Sequence, residues 1–413
     1  PDVCLTRQKP WNMITKLYVM LFAASANSLL HHLIVGTSNG QALYSLEMND
    51  EARTVYYIQA RDASGTSPSL ALDNSKKYLF SSRPENATLT RYSIGVDYGL
   101  LDEGTVDIPA ACNTTAFASM RLTSVAQNFG IWGSASTGAC SVLFALSTDG
   151  YTQLRSKEIA GDVHSLAWGA NGRSLHALDS HASSTTATSI ANYRITEDPS
   201  LEDVLATDVL ANVSDASQVA FHPRGNRFYV VTKATNELIS AELQETTNTT
   251  KLPLPPSRYR LLPSSLDASQ FRTSSLTITA SKDTLWTLSQ STRQAVVTVF
   301  SLNTTTGEVI DAVARASWAG AGEGQITAAP FSSGNVVAVT SSPTGYVTLL
   351  GLDRGLVENS KSSESFVGHE WLMRMDLEVD NQATAGSATP KIKSYGRTAL
   401  DEFISMGESV WVD

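Results

Sequence analysis

The stretch "SQVAFHPRGNRFYVVTK" at residues 217–233 predicts two β-strands joined by a tight turn. Apolar residues alternate before the turn, glycine and asparagine occupy it, and aromatic residues lie in the second strand. Segments with the same pattern occur at 69–82, 165–178, 275–288 and 325–339. Because one such unit cannot bury both of its faces, this recurrence predicts a repeat architecture.

A third strand follows most copies, and the spacing of the copies predicts the type of repeat. These third strands are predicted at 87–94, 189–196, 237–243, 295–302 and 345–352, and a divergent unit is predicted with strands at 117–124, 129–136 and 140–147. A spacing of roughly 40 to 55 residues is typical of four-stranded propeller blades. The long stretches 246–268 and 354–398 are predicted to be surface loops.

The two ends of the chain predict how the ring closes. The segments "HHLIVGT" (31–37) and "QALYSLEM" (41–48) resemble the second and third strands of a unit whose first strand is the final segment, 403–413. Closure by both ends removes unpaired sheet edges. We therefore predict an all-β fold, a seven-bladed β-propeller formed by a single domain over residues 27–413.

Residues 1–26 are predicted to be a leader outside that domain. The segment "MITKLYVMLFAASA" (13–26) has a lysine, a short apolar run and an Ala-x-Ala ending, which is the layout of a signal peptide. The run is too short to span a bilayer. The alternative is a buried strand or helix. The signal-peptide reading predicts a secreted protein that is extracellular or attached to a cell wall.

Sequons and cysteines agree with secretion. N-x-S/T acceptor sites, which predict N-glycosylation, occur in polar surroundings at Asn86, Asn113, Asn212, Asn248 and Asn303. Removal of the leader would leave Cys112 and Cys140, an even number that fits one disulfide. Two unlinked buried thiols are the alternative.

Charge and motifs exclude several classes of function. The formal net charge of -10 and the lack of a Lys/Arg cluster argue against nucleic-acid partners. The sequence has no phosphate-binding glycine loop and no dinucleotide-binding motif. No His, Asp or Glu set has metal-ligand spacing, so neither a metal nor another cofactor is expected. We expect a monomer without a membrane span.

The repeat alignment converts sequence positions into a ring around a central channel. The residues just before the first strands of the alignable units include His164 and Ser217, and only His164 is an acid or base near neutral pH. Lys233 and Gln290 end equivalent second strands, and Arg272 precedes a first strand. Together these residues describe a mildly cationic site for a small carboxylate or lactone. The alternative is an ordinary polar rim with a structural histidine.

The segments "LHHLIVGTSNG" (30–40), "VHSLAW" (163–168), "VAFHPRGNRFYVV" (219–231) and "SVWVD" (409–413) resemble the lactonase-type seven-bladed propellers. Within that family the sequence is most similar to the fungal 3-carboxy-cis,cis-muconate lactonizing enzyme, also called carboxy-muconate cyclase. The resemblance implies a cofactor-free cycloisomerase or lactonase, in which His164 matches the family's catalytic histidine. Ser217 and Gln290 stand where the family has arginines, and Lys233 stands where it has a glutamate.

Two functions remain open at this point. The first is a secreted enzyme acting on small carboxylates or lactones, with His164 as general acid or base and Lys233, Arg272, Ser217 and Gln290 binding the substrate. The second is a non-catalytic extracellular or cell-wall glycoprotein, similar to an adhesin or antigen, that binds a glycan, a matrix protein or a small ligand.

Overall fold

The computed structural model describes residues 30–412 with internal gaps. The residues outside the description are 1–29, 41, 64, 74, 109–115, 123–128, 138–139, 148, 181–187, 196–205, 211, 244–255, 320–321, 323, 332–334, 342–343, 355–377, 380–389, 402–403 and 413. The predicted leader therefore lies outside the described residues, and its cleavage stays a prediction.

Seven antiparallel sheets surround a central channel, so the predicted propeller is confirmed. The described chain begins with three strands of a sheet that its last strand completes: β1 (Leu30–Thr37), β2 (Ala42–Asn49) and β3 (Thr54–Asp62). Blade 1 consists of β4 (Leu70–Leu72), β5 (Tyr78–Arg83), β6 (Thr88–Ile94) and β7 (Leu100–Asp107). Blade 2 consists of β8 (Ala116–Leu122), β9 (Phe129–Ser136), β10 (Cys140–Ser147) and β11 (Gln153–Ala160).

The next two blades have the same antiparallel order from the channel outward. Blade 3 consists of β12 (Val163–Trp168), β13 (Ser174–Asp179), β14 (Ser189–Arg194) and β15 (Ala206–Val209). Blade 4 consists of β16 (Ala216–Phe221), β17 (Arg227–Thr232), β18 (Glu237–Glu242) and β19 (Ser257–Arg260). Short 3-10 helices are present at Pro84–Asn86 and Ala268–Gln270.

The last blades are intertwined in sequence, because a later segment returns to the edge of an earlier sheet. Blade 5 consists of β20 (Arg272–Ile278), β21 (Thr284–Gln290), β22 (Gln294–Leu302), β23 (Val309–Ala319) and β27 (Glu378–Val379), which lies in sequence between the third and fourth strands of the next blade. Blade 6 consists of β24 (Ile326–Ala328), β25 (Val337–Ser341), β26 (Tyr346–Asp353) and β28 (Lys391–Ala399). Blade 7 consists of β29 (Met406–Trp411), β1, β2 and β3.

Blade 7 joins the two ends of the described chain as the sequence predicts. β29 is its innermost strand and pairs antiparallel with β1, placing Leu33 opposite Trp411 and Ile34 opposite Val410. This pairing closes the ring with ordinary sheet hydrogen bonds and leaves no blade without its inner strand.

The prediction that 246–268 and 354–398 are surface loops was only partly correct. The stretch 246–268 contains β19, and the stretch 354–398 contains β27 and most of β28. β19 and β28 are mostly exposed or half-buried, and both carry charged residues. They therefore lack the clean apolar alternation by which a half-buried strand is recognised in sequence.

Apolar side chains fill the space between neighbouring blades. One cluster packs Leu178 and Ile190 of blade 3 against Phe228 and Val230 of blade 4, and comparable clusters occupy the other six junctions. Each fully buried side chain of this size contributes about 1.5–3 kcal/mol to folding. The blades are thereby fixed against each other, and the inner strands can hold side chains in a defined ring.

Candidate functional site

A β-bulge at the start of three neighbouring inner strands builds one end of the channel, which we call the mouth. In blades 3, 4 and 5 the strand register shifts by one residue, and the shift leaves His164, Ser217 and Ser274 without a partner on the second strand. We call these three residues the mouth ring. Each side chain contacts the main chain of the next blade, in its inner strand or just before it. His164 Nε2 lies 2.8 Å from Ala216 O, Ser217 Oγ donates to Thr273 O at 2.8 Å, and Ser274 Oγ donates to Gly324 O at 2.9 Å.

The His164 imidazole contacts main-chain oxygens through both ring nitrogens. Nδ1 lies 3.1 Å from Asp162 O, while Nε2 contacts Ala216 O. A carbonyl oxygen only accepts, and a neutral imidazole donates from one nitrogen only. Donation to both oxygens at once therefore requires the imidazolium form. The Asp162 carboxylate lies 3.9 Å from Nδ1, and the His164 side chain is 25% exposed, so a ligand can reach it.

Lys233 and Arg272 lie at the same mouth, at the junction between blades 4 and 5. Both are exposed. The Lys233 N–H donates to Asp215 O at 2.8 Å, and the Thr273 N–H donates to Lys233 O at 3.2 Å. Because Ser217 also contacts Thr273, the structure brings Ser217, Lys233 and Arg272 to one junction. Within the described chain the Lys233 ammonium has no ion-pair partner.

Gln290 differs from the other predicted residues because it is covered. It is the partner of Arg272 in the sheet register, yet only 3% of it is exposed. Its amide lies close to Gly324 of blade 6, and neither amide atom has a hydrogen-bond partner among the described residues. The structure therefore places Gln290 under the mouth and not in its surface.

One residue further along the inner strands, a second set of side chains links neighbouring blades. We call Ser165, Gln218, Ser275 and Glu408 the second ring. Each accepts a hydrogen bond from a main-chain N–H of the next inner strand, from Val219 at 3.2 Å, Leu276 at 2.7 Å, Ile326 at 3.2 Å and Leu70 at 3.1 Å respectively. Ser165, Gln218 and Ser275 occupy equivalent positions in the repeat alignment, one residue after His164, Ser217 and Ser274, and that equivalence is the signal in the sequence for this ring.

The channel contains a cavity of about 390 Å³ below the mouth. Gln218, Gln325 and Glu408 border its end nearest the mouth, while Trp168 and Pro223 border the far end. None of His164, Lys233, Arg272, Ser217 and Gln290 lines it. The predicted site and the cavity are therefore neighbouring but separate features.

The other histidines of the described chain are structural. Burial lowers the pKa of His176 to about 4, and its ring stacks on Phe221 with centroids 3.8 Å apart while it hydrogen-bonds Asn192. Burial also lowers the pKa of His222. Its Nδ1 accepts from the Gly225 N–H at 3.1 Å, so its Nε2 carries the proton that is donated to Lys282 O.

His31 and His32 face opposite neighbours, as expected for successive strand residues. His31 stacks on Phe331 of the blade 6 side at 3.7 Å, and His32 stacks on Tyr98 of blade 1 at 3.3 Å. They therefore do not form a joint metal site. Among the residues that the structure describes, no group of three or more His, Cys, Asp or Glu residues could hold a metal ion.

Three predicted glycosylation sites lie within the described part of the chain. Asn86, Asn212 and Asn303 are all exposed, whereas Asn113 and Asn248 lie outside the described residues. Cys140 is disulfide-bonded. Its predicted partner, Cys112, also lies outside the described residues, so that pairing stays a prediction. No helix in the described chain is long and apolar enough to cross a membrane.

The fold is shared with known structures. The periplasmic gluconolactonase of Pseudomonas aeruginosa superimposes with a TM-score of 0.61 at 15% identity, covering 78% of this chain and 92% of its own. A Lactobacillus plantarum protein gives 0.62 at 13% identity, covering 89% and 99%. A Bacteroides fragilis protein described as a candidate 6-phosphogluconolactonase gives 0.59 at 13% identity, covering 90% and 99%.

The chain shares the propeller fold of these structures. At these identities the likeness concerns the fold alone, and the resemblance to the fungal carboxy-muconate cyclase stays a prediction. No protein-family model matches the chain, and no curated protein matches its sequence. The chemistry at the mouth must therefore be argued from the residues themselves.

Proposed function

We propose that this lactonase-type propeller binds a small organic carboxylate, or the corresponding lactone, at the mouth. The observation that carries this proposal is the grouping of His164 with the exposed cations Lys233 and Arg272 on blades 3 to 5. Carboxylates form their strongest hydrogen bonds with charged donors of this kind. The fold shared with a gluconolactonase supports the same class of ligand.

Arg272 and Lys233 have different parts in this proposal. The Arg272 guanidinium presents a fork that matches a carboxylate, whereas the Lys233 ammonium supplies a single charge on a flexible stem. Ser217 already donates to Thr273 O, so its hydroxyl oxygen remains available as an acceptor for a ligand hydroxyl. Gln290 can take part only if the mouth rearranges, because its amide is covered.

Turnover would depend on His164 exchanging one of its main-chain contacts for the substrate. In lactone hydrolysis a water proton goes to Nε2 as the hydroxyl adds to the carbonyl, and a proton returns to the ring oxygen as the C–O bond breaks. In cyclisation of a muconate, a carboxylate oxygen adds to the double bond and His164 supplies a proton to the neighbouring carbon. Either route requires the Ala216 O contact to open.

Binding without turnover is the second candidate function, and the same geometry favours it. Nδ1 and Nε2 of His164 both face carbonyl oxygens, and an imidazole that donates to both of them has no lone pair with which to accept a proton. In this reading the protein is an extracellular or cell-wall glycoprotein that binds a glycan, a protein or a small ligand. The exposed sequons at Asn86, Asn212 and Asn303 are compatible with the secretion that we propose for either function.

Turnover assays on matched variants separate the two candidates. Purified protein is incubated with gluconolactone and with 3-carboxy-cis,cis-muconate, and product is followed by proton release or ultraviolet absorbance. The His164→Ala variant is compared with Ser274→Ala, which removes the same kind of contact between blades but no acid or base.

The enzyme proposal predicts activity in the wild type and in Ser274→Ala, with a loss of about 100-fold or more in His164→Ala. Equal activity in the two variants would refute a catalytic role for His164. Carboxylate binding without conversion of any substrate would support the second candidate.

A further inference from the structure

The outermost strand of blade 7 has an exposed apolar centre. Tyr56, Tyr57 and Ile58 are consecutive residues of β3, and they are 54%, 45% and 39% exposed. β2 pairs with one side of β3, and none of the described strands pairs with the other side. That outer side presents a row of main-chain N–H and C=O groups with which a further strand can pair.

The outer strands of the other blades are protected by charge, as sheet edges usually are. Among the outermost described strands of blades 1 to 6, each has at most three uncharged residues in succession. β3 has seven, residues 54–60, and its charged residues Arg61 and Asp62 stand at its end. Within the described part of the chain, β3 is therefore the edge that is least protected against pairing.

A β-bulge in β3 brings two opposite charges to one face of the strand. The register against β2 shifts by one residue near Ile58. Because of the shift, Val55 and Asp62 lie on the same face, although a regular strand would put them on opposite faces. Their partners on β2 both pack against the apolar cluster that joins blades 6 and 7. This face of β3 therefore ends in an anion.

A cation lies just before the other end of the same face. The Arg53 guanidinium lies over the ring of Tyr395, which belongs to the same cluster, at 5.1 Å from its centroid. Stacking occupies the face of the guanidinium and leaves N–H groups at its rim that can donate. The described chain places no carboxylate within ion-pair distance of Arg53. The face therefore has a positive end at Arg53 and a negative end at Asp62.

We propose that β3 is the interface of a symmetric homodimer, in which the β3 strands of two copies pair antiparallel about a two-fold axis near Ile58. The axis brings Arg53 of each copy to Asp62 of the other, so that both ends of the interface are complementary in charge. The exposed side chains of Tyr57 and Ile58 cover their counterparts at the centre. A single strand pair is a small interface, so the dimer should depend on protein concentration. This dimer does not depend on the proposed function, and it differs from the monomer expected from the sequence.

Sedimentation velocity of the full-length protein over a series of concentrations tests the interface. Ile58→Lys would place two ammonium groups near the axis, so we expect the Kd of the dimer to rise about tenfold or more. Ile310→Lys is the matched control, because Ile310 is an exposed isoleucine on an outer strand of blade 5. It should leave the Kd unchanged. An unchanged Tm at low concentration establishes that each variant is folded.

Exchange of the two charges tests the register of the pair. Arg53→Glu and Asp62→Arg each place like charges opposite one another, and each should raise the Kd about tenfold. The double variant restores opposite charges and should recover most of the affinity. The proposal is overturned if the wild type sediments as a monomer at every concentration, which would leave the edge to a different partner. It is also overturned if Ile58→Lys and Ile310→Lys dimerise equally, or if the double variant dimerises no better than the single ones.

Discussion

The two ends of the channel hold neighbouring blades together in different ways. At the mouth, short polar side chains such as Ser274 and Ser275 bond to the main chain of the next blade. Toward the far end, buried rings make the contacts, as where His176 of blade 3 stacks on Phe221 of blade 4. The same architecture is therefore held by hydrogen bonds at one end and by packed rings at the other.

Because of this difference, the residues that make the fold sensitive to acid lie apart from the residues that we propose to bind a ligand. His176 and His222 are neutral and deeply placed, so protonation opposes folding at the far end. His164 is partly exposed at the mouth, where its ring can meet a ligand. Substitutions at the far end should therefore change stability, and substitutions of exposed mouth residues should change binding.

Acid should weaken the far end most strongly. The pKa of His176 is about 4 in the folded protein against about 6.5 when unfolded, so its contribution is complete above pH 6.5 and is lost as pH falls toward 4. This corresponds to about 3 kcal/mol. Urea unfolding between pH 7.5 and 4 measures it. The His176→Gln variant should lose less stability over that range, and an equal loss in both proteins would contradict this explanation.

A larger residue at position 324, at the mouth, should destabilise the fold almost as much as acid does. In Gly324→Ala the added carbon would overlap Thr340 O and approach the covered amide of Gln290. We expect a loss of about 2 kcal/mol in the free energy of unfolding. In the control, Gly99→Ala, the added carbon would meet mainly the Asp97 carboxylate, which can move. Thermal denaturation that ranks the two glycines in the reverse order would show that the mouth can expand.

Replacing each of two adjacent serines on β20 by alanine should lower the free energy of unfolding by different amounts. Ser275 is fully buried and accepts from the Ile326 N–H, so Ser275→Ala leaves a buried donor unsatisfied and should cost about 2 kcal/mol. Ser274 is only half-buried and donates to Gly324 O, so Ser274→Ala should cost about 1 kcal/mol or less. Chemical denaturation of the two variants tests this order. Equal costs would mean that water replaces the hydroxyl in both rings.

The smallest effect on stability is expected at Lys233. Its exposed ammonium has no ion-pair partner in the described chain, so Lys233→Gln should change the free energy of unfolding by less than about 0.5 kcal/mol. The same variant should weaken binding of a carboxylate about fivefold. Paired calorimetric and unfolding measurements test both statements. A large loss of stability with unchanged affinity would make Lys233 a structural residue.

The repeat in the sequence was enough to predict the blades, because their inner strands alternate clearly between apolar and polar residues. It also predicted that the final segment pairs with β1. It did not reveal β19 or β28, because outer strands need only pair with a neighbour and carry charged residues on exposed positions.

The site was predictable only in part, for physical reasons. Aligning repeats gave the position of His164 and Ser217, but a bulge depends on how two strands pair and is not visible in one of them. Gln290 aligns with Lys233, yet Lys233 extends outward and Gln290 is covered by the neighbouring blade. Glu408 lies on the final strand, outside the aligned copies of the repeat, so the alignment does not point to it.

The most direct test of the central claim is a crystal structure of the protein soaked with a small carboxylate, such as gluconate. Our account predicts density for the carboxylate between Arg272 and Lys233, within reach of the His164 ring. Density in another place, or an empty mouth at a concentration where calorimetry shows saturation, would contradict the account and move the functional site away from the mouth.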